Sequence, residues 1–591
     1  MKSFGILFCL VSTVVLSAVS ARANVYATDI KLNGSLYTIT NAGSAPVTIS
    51  YRLNQPATLG VTVAIWQGSN QVATINGGTN MGLNSVVWGG TNNLGANVTS
   101  GTYSVTITAG ASDVSGGTGN WTQISIDTNA GNYAFDPNGM AVDNNTNSPY
   151  YGRVMMGCSF ANGAAKNPIS KQVIQDGIYK MNADGSLADE GGFGYGGYTR
   201  DDAGYTAIGE MPPNSHFVPW RLRIGDDDRI YMLDLSDEGA IVAFDMQVTT
   251  NQVVIDDGGA DGGGLSGPHN YAQNPDFGDL QFGIGNFDVS STTTSNAAVW
   301  LCDGDVTGNW GIWMYHLVNG QSDTNDIGTQ AVTTGGDLSQ GSTGGCMIDA
   351  HLDIFCGQSE TTTNAVYDAM VFTNWSHGVL PGISGGSSFT DGASPGQVEW
   401  GFGCGVNAVC TTNPTFEAVQ DVVINSRTSP TIVACPMTAG IESTNGIRLL
   451  NAVNGAIIQS NIDFGQQYTC AAWDNVGNLY GASPSRKVWR VWSPPGPSTN
   501  TTMAVAQLVV TIQFAITGIT AVPTSAGCAN VTIHFSAVGS PPASAFTLVS
   551  SPALNGTFSP VAGAVITGSA GFYQATFSNC STSFYKMEQS P

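Results

Sequence analysis

The chain runs to 591 residues, more than one hydrophobic core normally serves, so two or more domains are expected. It sets 18 lysines and arginines against 42 aspartates and glutamates, a formal charge of -24, which excludes a surface that tracks nucleic-acid phosphates. Only 10% of the residues are charged while 75 are glycine, so the polar surface is built from Asn, Thr, Ser, Gln and the backbone, unlike that of a cytosolic helical protein.

At the N-terminus, Lys2 precedes the apolar run from Phe4 to Val19, and Ala21-Arg22-Ala23 follows it. A charged start, an apolar middle and a small-x-small end predict a signal peptide over residues 1–23. The run falls short of the roughly 20 apolar residues that cross a bilayer, and no comparable run occurs later, so the sequence predicts no transmembrane span. The expected location is secreted, extracellular or cell-surface associated.

Of 11 cysteines, Cys9 leaves with the signal and ten remain, an even count that predicts complete pairing in an exported chain. Cys346–Cys356 and Cys404–Cys410 are expected as local links, and Cys528–Cys580 as the closure of a C-terminal module. The cysteines and histidines show no zinc-like spacing.

Residues 24–112 alternate in short strands such as Val47 to Tyr51, Val61 to Trp66 and Tyr103 to Ile107, divided by Asn/Gly turns. Period-two patterning at this length predicts a small β-sandwich. The succession Val86-Val87-Trp88-Gly89-Gly90, Asn93-Leu94-Gly95 and Gly101-Thr102-Tyr103 resembles the immunoglobulin-like module of flagellar hook-capping proteins. The resemblance implies a fold for this stretch and no flagellar function. Residues 113–129 read as a linker or as an outer strand of the domain that follows.

Between 130 and 498 a unit recurs in which an apolar strand, an Asp or Asn turn and a second apolar strand follow one another. Its clearest copies begin at Met140-Ala141-Val142-Asp143 and at Ala472-Trp473-Asp474-Asn475, and six copies are legible in all. Such repetition predicts a six-bladed β-propeller, or seven blades if 113–129 and 499–514 jointly build a divergent one. The pattern resembles the broad family of NHL, strictosidine-synthase-like and lactonase-like propellers. An ordinary multi-sheet sandwich is the alternative. Residues 499–514 read as a linker or closing strand, and 515–591 as a small C-terminal β-domain with strands at Val531 to Phe535 and Gly571 to Phe577. The fold class expected overall is all-β, a propeller flanked by small β-sandwich domains.

Acidic loops are the candidate metal sites: Asp226, Asp227 and Asp228 in one, Asp303 and Asp305 in another, and Asp256, Asp257 and Asp261 in a third. Carboxylates suit Ca²⁺, a hard cation with flexible oxygen coordination, although none of the loops has EF-hand spacing. The same residues also serve as turn formers, which is the plainer reading. His216, His269, His316, His351 and His377 supply acid–base groups in the central region, but no HExxH or GxSxG motif organises them.

Trp310 and Trp375, near Gly/Asn loops, are candidates for stacking on sugar rings, whereas the other central tryptophans fill the space between sheets. Together these features point to a non-catalytic extracellular binding or surface-assembly scaffold that recognises a protein or glycan. The alternative is a secreted lactonase-like or other hydrolase with its site in the propeller channel.

Overall fold

The computed structural model describes residues 24–42, 45–129, 132–134, 137–158, 171, 177–188, 219–225, 227–234, 240–256, 281–285, 298–303, 311–318, 321–322, 329–333, 343–348, 354–358, 367–372, 389–390, 398–403, 418–425, 431–439, 446–511, 514–524, 527–537, 542–581 and 583–589. The signal-peptide expectation lies outside them. The fold is all-β, and no helix among the described residues is long and apolar enough to cross a membrane.

The N-terminal module is a sandwich. One sheet joins Ala27–Leu32, Val47–Leu53 and Gly82–Trp88 in antiparallel order. In its central strand Val47, Ile49, Tyr51 and Leu53 point inward while Thr48, Ser50 and Arg52 point away, the alternation that a half-buried strand requires. The opposite sheet contains Gly60–Gln67, Asn70–Asn76 and Gly101–Ala111, and Tyr103, Val105, Ile107 and Ala109 face the first sheet's apolar residues.

This module is not complete by residue 112. Ser498–Met503 pairs antiparallel with the far end of Gly101–Ala111. Leu508–Thr511 inserts between that strand and Ile39–Ala42, lying parallel to the latter. Ala504, Ala506, Leu508 and Val510 are buried in the sandwich core. The segment read as a linker or closing strand of the central region therefore adds two strands to the N-terminal sandwich. Unfilled, the gap would leave backbone donors and acceptors of Gly101–Ala111 without partners.

Among the described residues the central region forms six sheets that follow the chain. The first holds Pro137–Val142, Val154–Cys158 and Gly177–Met181, and the second Pro219–Ile224, Arg229–Asp234, Ala240–Asp245 and Asn251–Asp256. The third begins at Gln281–Gly285 and the fourth at Thr343–Ile348. The fifth opens with Ala418–Val419 and Val423–Asn425, and the sixth contains Cys470–Trp473, Leu479–Ser483 and Val488–Ser493. Each first strand packs beside the first strand of the next sheet, and Cys470–Trp473 packs beside Pro137–Val142. Thr122–Gln123, from before the first sheet, adds the outer strand of the sixth.

Both faces of the first sheet are buried, which is why its strands read as nearly continuous apolar runs. In the first sheet Ala141, Met155 and Ile178 face Leu222, Met232 and Phe244 of the second. Met140, Val154 and Met156 face Cys470, Tyr480 and Trp489 of the sixth.

The approach between sheets is set by glycine. Gly139 and Gly157 are register partners. A Cβ on Gly157 would stand 2.6 Å from the Pro219 carbonyl oxygen, and one on Gly139 would stand 2.8 Å from the Leu222 amide nitrogen. The fourth and fifth sheets repeat the device: a Cβ on Gly345 would meet Asp421 at 2.8 Å, and one on Gly357 would meet Val419 at 2.7 Å. In each case the missing side chain lets the next first strand lie close against the sheet.

The C-terminal domain is a second, smaller sandwich. One sheet joins Phe514–Pro523, Ala529–Ala537, Phe572–Asn579 and Val565–Ser569, and the other Ser559–Pro560, Phe546–Ser551 and Phe584–Gln589. Ile533, Phe535, Phe546, Leu548 and Tyr573 form its core. The expected Cys528–Cys580 disulfide is present, with Cα atoms 4.0 Å apart.

The expectation of complete cysteine pairing is corrected. Cys158, Cys346, Cys356, Cys435 and Cys470 are buried thiols. Cys346 and Cys356 are direct register partners on adjacent strands, yet they are not joined. Between sheets covered on both faces, cysteine serves as a small apolar residue, and its burial rather than its redox chemistry fits it to the position. Cys404 and Cys410 lie outside the described residues.

Two outcomes follow. Gly157→Val should destabilise the protein by about 1–3 kcal/mol through overpacking, whereas Gly89→Ala, with open space around it, should leave the melting temperature unchanged. Non-reducing peptide mapping should return Cys528 linked to Cys580, with Cys158, Cys435 and Cys470 alkylated only after denaturation.

Candidate functional site at the centre of the six sheets

The first strand of the second sheet, Pro219–Ile224, alternates apolar Leu222 and Ile224 with Arg221 and Arg223. Arg221 is fully buried. Its guanidinium donates to the carbonyl oxygens of Asn138 in the first sheet and Gln420 in the fifth, so one side chain ties together three sheets. A buried guanidinium needs such acceptors, because its charge has no water to solvate it.

Arg223 donates from Nη2 to Asp421 Oδ1 at 2.9 Å and from Nη1 to its neighbour's carbonyl, Leu222 O, at 3.0 Å. Asp421 is fully buried, and the same oxygen also accepts the Val422 amide at 2.9 Å. The Thr469 hydroxyl donates to the Pro137 carbonyl and joins the sixth sheet to the first. Beside it, burial pushes the Cys470 thiol up to about 12 against the opposing influence of Arg221, which leaves it protonated and unreactive. Two arginines in an apolar strand, in a chain with so few cations, are the sequence signal for this centre. In the sequence, Arg223-Ile224-Gly225-Asp226 reads only as one of the six copies of the repeat.

Next to the ion pair lies a cavity of about 120 Å³. Its walls include Asn144, Arg223, Met347, Ile424 and Trp473, drawn from five of the six sheets. Trp473 is held by its ring N–H, which donates to Val423 O at 3.0 Å, and Asn144 Nδ2 donates to Trp473 O at 2.8 Å.

The aspartates of the repeat organise hairpin turns on this side. Asp474 Oδ1 accepts the amides of Val476 at 3.1 Å and Asn478 at 2.7 Å, and Oδ2 accepts Asn478 Nδ2 at 2.6 Å and the Tyr480 hydroxyl at 3.2 Å. Gly477 takes the positive φ of 95° that closes the turn. Burial pushes the Asp474 carboxyl up to about 6, partly offset by these hydrogen bonds. Asp143 is pushed to about 6 in the same way, with the Ser148 side chain and the Asn145 amide opposing.

The N-terminal sandwich rests on these turns. Asn478 Nδ2 donates to Asn24 O at 2.9 Å, the Tyr26 and Tyr480 hydroxyls lie 3.4 Å apart, and Arg52 pairs with Asp184 at 3.2 Å.

Among the proposed metal ligands, Asp227 Oδ1 accepts the Arg229 amide at 3.2 Å and its Oδ2 accepts the Tyr231 hydroxyl at 2.8 Å. Asp228 Oδ1 accepts Asn145 Nδ2 at 2.8 Å, linking the second sheet to the first. The two carboxylates are thus directed to different partners. Asp226, Asp305, Trp310 and Trp375 lie outside the described residues, as does the side chain of Asp303. No group of three or more His, Cys, Asp or Glu suited to a metal occurs among the described residues.

Residues 37–113 match the FlgD Ig-like domain family, in agreement with the sandwich observed there. No curated protein sequence matches the chain. Among solved structures, a structural genomics protein of unknown function from Bacteroides thetaiotaomicron VPI-5482 aligns with a TM-score of 0.34 at 8% identity, covering 79% of this chain and 98% of that one.

The raised carboxyls give a signed pH dependence. Between the ordinary Asp value of 3.8 and about 6 the folded state holds protons that the unfolded state has released, so stability falls as pH rises across that window. Apparent melting temperatures measured from about pH 4 to about pH 7 should fall in the wild type and fall less steeply in Asp474→Asn, where of these two carboxyls only that of Asp143 stays raised.

Proposed function

We propose that the six sheets are the blades of a six-bladed β-propeller, and that the chain is an exported, non-catalytic scaffold for binding or surface assembly whose partner is an extracellular protein or glycan. The succession of first strands, returning from the sixth sheet to the first, supports the propeller reading. So does the outer strand that Thr122–Gln123 lends to the last sheet, since a blade shared between the two ends of the chain fastens a ring.

The observation that carries the functional reading is Arg221. A channel hydrolase needs water and an acid–base group free to meet substrate at the axis. Here the axis is crossed by a fully buried guanidinium bonded to main-chain carbonyls of two other sheets. Arg223 and Asp421 neutralise each other beside it. These groups fix the sheets relative to one another, and recognition is left to the loops and to the cavity beside the ion pair.

The purified mature protein should give no hydrolysis of lactones or aryl esters above the buffer rate, while retaining a saturable extracellular ligand on protein and glycan arrays. Arg221→Met should cost about 2–5 kcal/mol, because the buried Asn138 carbonyl and the partly buried Gln420 carbonyl lose their donor. Turnover that disappears in a folded Asp421→Asn variant would overturn the scaffold reading.

A further inference from the structure

The cavity beside the ion pair is lined by two residues with polar atoms that the described residues leave unsatisfied. Arg223 is 7% exposed, and its Nε, a donor, has no hydrogen-bond partner among the described residues. Asn144 Oδ1, an acceptor, is buried and likewise has none. Both residues line the same cavity, whose remaining wall is apolar and aromatic, including Met140, Ile424 and Trp473. Leaving either atom unpaired costs about 1–3 kcal/mol, so the arrangement is complementary to something that accepts from one and donates to the other.

We infer that this cavity is a subsite for the edge of one neutral sugar ring, the terminal unit of a glycan. The inference rests on the scaffold reading above and names its ligand.

Charge decides against an anion. The Arg223 guanidinium is already matched by Asp421 at 2.9 Å, so a carboxylate or phosphate entering the cavity would bring an uncompensated charge into an apolar wall of a chain with net charge -24. A purely apolar ligand would bury Nε and Oδ1 without partners. Hydroxyl groups both donate and accept, so a polyol offers an acceptor to Arg223 Nε and a donor to Asn144 Oδ1. Sugar C–H faces suit aromatic and aliphatic walls, which Trp473 and Ile424 provide.

The size agrees. An apolar cavity of roughly 150 Å³ holds benzene, so about 120 Å³ admits about half a dozen heavy atoms, one edge of a pyranose rather than a whole oligosaccharide.

The test uses the full mature protein, the methyl glycosides of glucose, galactose, mannose and N-acetylglucosamine, and sodium benzoate as the anionic comparison, read by saturation-transfer NMR and indole fluorescence. At least one glycoside should bind saturably, with a dissociation constant of about 1 mM, and benzoate should not. Arg223 is too deeply paired to be a clean probe, so the variants are Asn144→Leu and Ile424→Trp. The first removes the acceptor and should weaken binding about fivefold to tenfold, the worth of one hydrogen bond. The second fills the cavity and should abolish saturation with the melting temperature kept near wild type, whereas the first also takes the donor from the Trp473 carbonyl and should lower the melting temperature while leaving the protein folded.

Absence of saturation by every glycoside overturns the subsite, as does preference for benzoate or binding that neither variant alters. Array binding that persists in those cases leaves the scaffold reading intact. Hydrolysis of the probes would sink that reading instead.

Discussion

Main chain meeting main chain is the constraint from which the centre of this protein follows. Where Gly157 faces Pro219 and Gly345 faces Asp421, a single added carbon would collide, so the first strands of neighbouring sheets lie as near as their backbones allow. That approach brings Arg221 within reach of carbonyls from two other sheets and sets Arg223 against Asp421. Larger residues at the glycines would separate the sheets, and the arginines would then be stranded from their acceptors. The glycines and the charges form one arrangement, the first supplying closeness and the second giving that closeness a defined register.

The energetic balance of such a centre is narrow. Desolvating an ion pair consumes most of what its attraction returns, so the Arg223–Asp421 bridge adds little net stability, although removing either partner is costly. Its effect is to penalise any other packing of the sheets, since every alternative leaves a charge buried and alone. The apolar clusters between sheets provide the bulk of the driving force, but they tolerate sliding. The directional bonds of Arg221 and Arg223 do not.

Local features were legible in the sequence and distant ones were not. The strand from Val47 to Leu53 announces itself by alternation, because its inward and outward residues are decided by a single buried face. The repeat around Asp474-Asn475-Val476-Gly477-Asn478 is readable because the aspartate bonds amides two and four residues ahead. The centre is different: Arg221 finds Gln420 across 199 residues, and nothing near Arg221 indicates that acceptor. Counting cysteines also misled, since an even number says nothing of whether two thiols are placed to meet, and Cys158, Cys435 and Cys470 lie in apolar clusters between sheets. The strands at 498–511 were misassigned for the same reason, because their partners lie near the other end of the chain.

That return of the chain has a mechanical consequence. Tension applied between the N-terminal residues and the C-terminal domain enters through Leu508–Thr511, which lies parallel to Ile39–Ala42 in the same sheet. The two strands would have to shear past one another, breaking their bonds together rather than in sequence. The whole central region is a side loop on this path, since the Asn24 amide is already fastened to Ser493 across a separation of 469 residues. A pull on the two ends would be borne by the N-terminal sandwich, and the six sheets would feel it only through the bonds that hold Asn24 to Ser493 and Asn478.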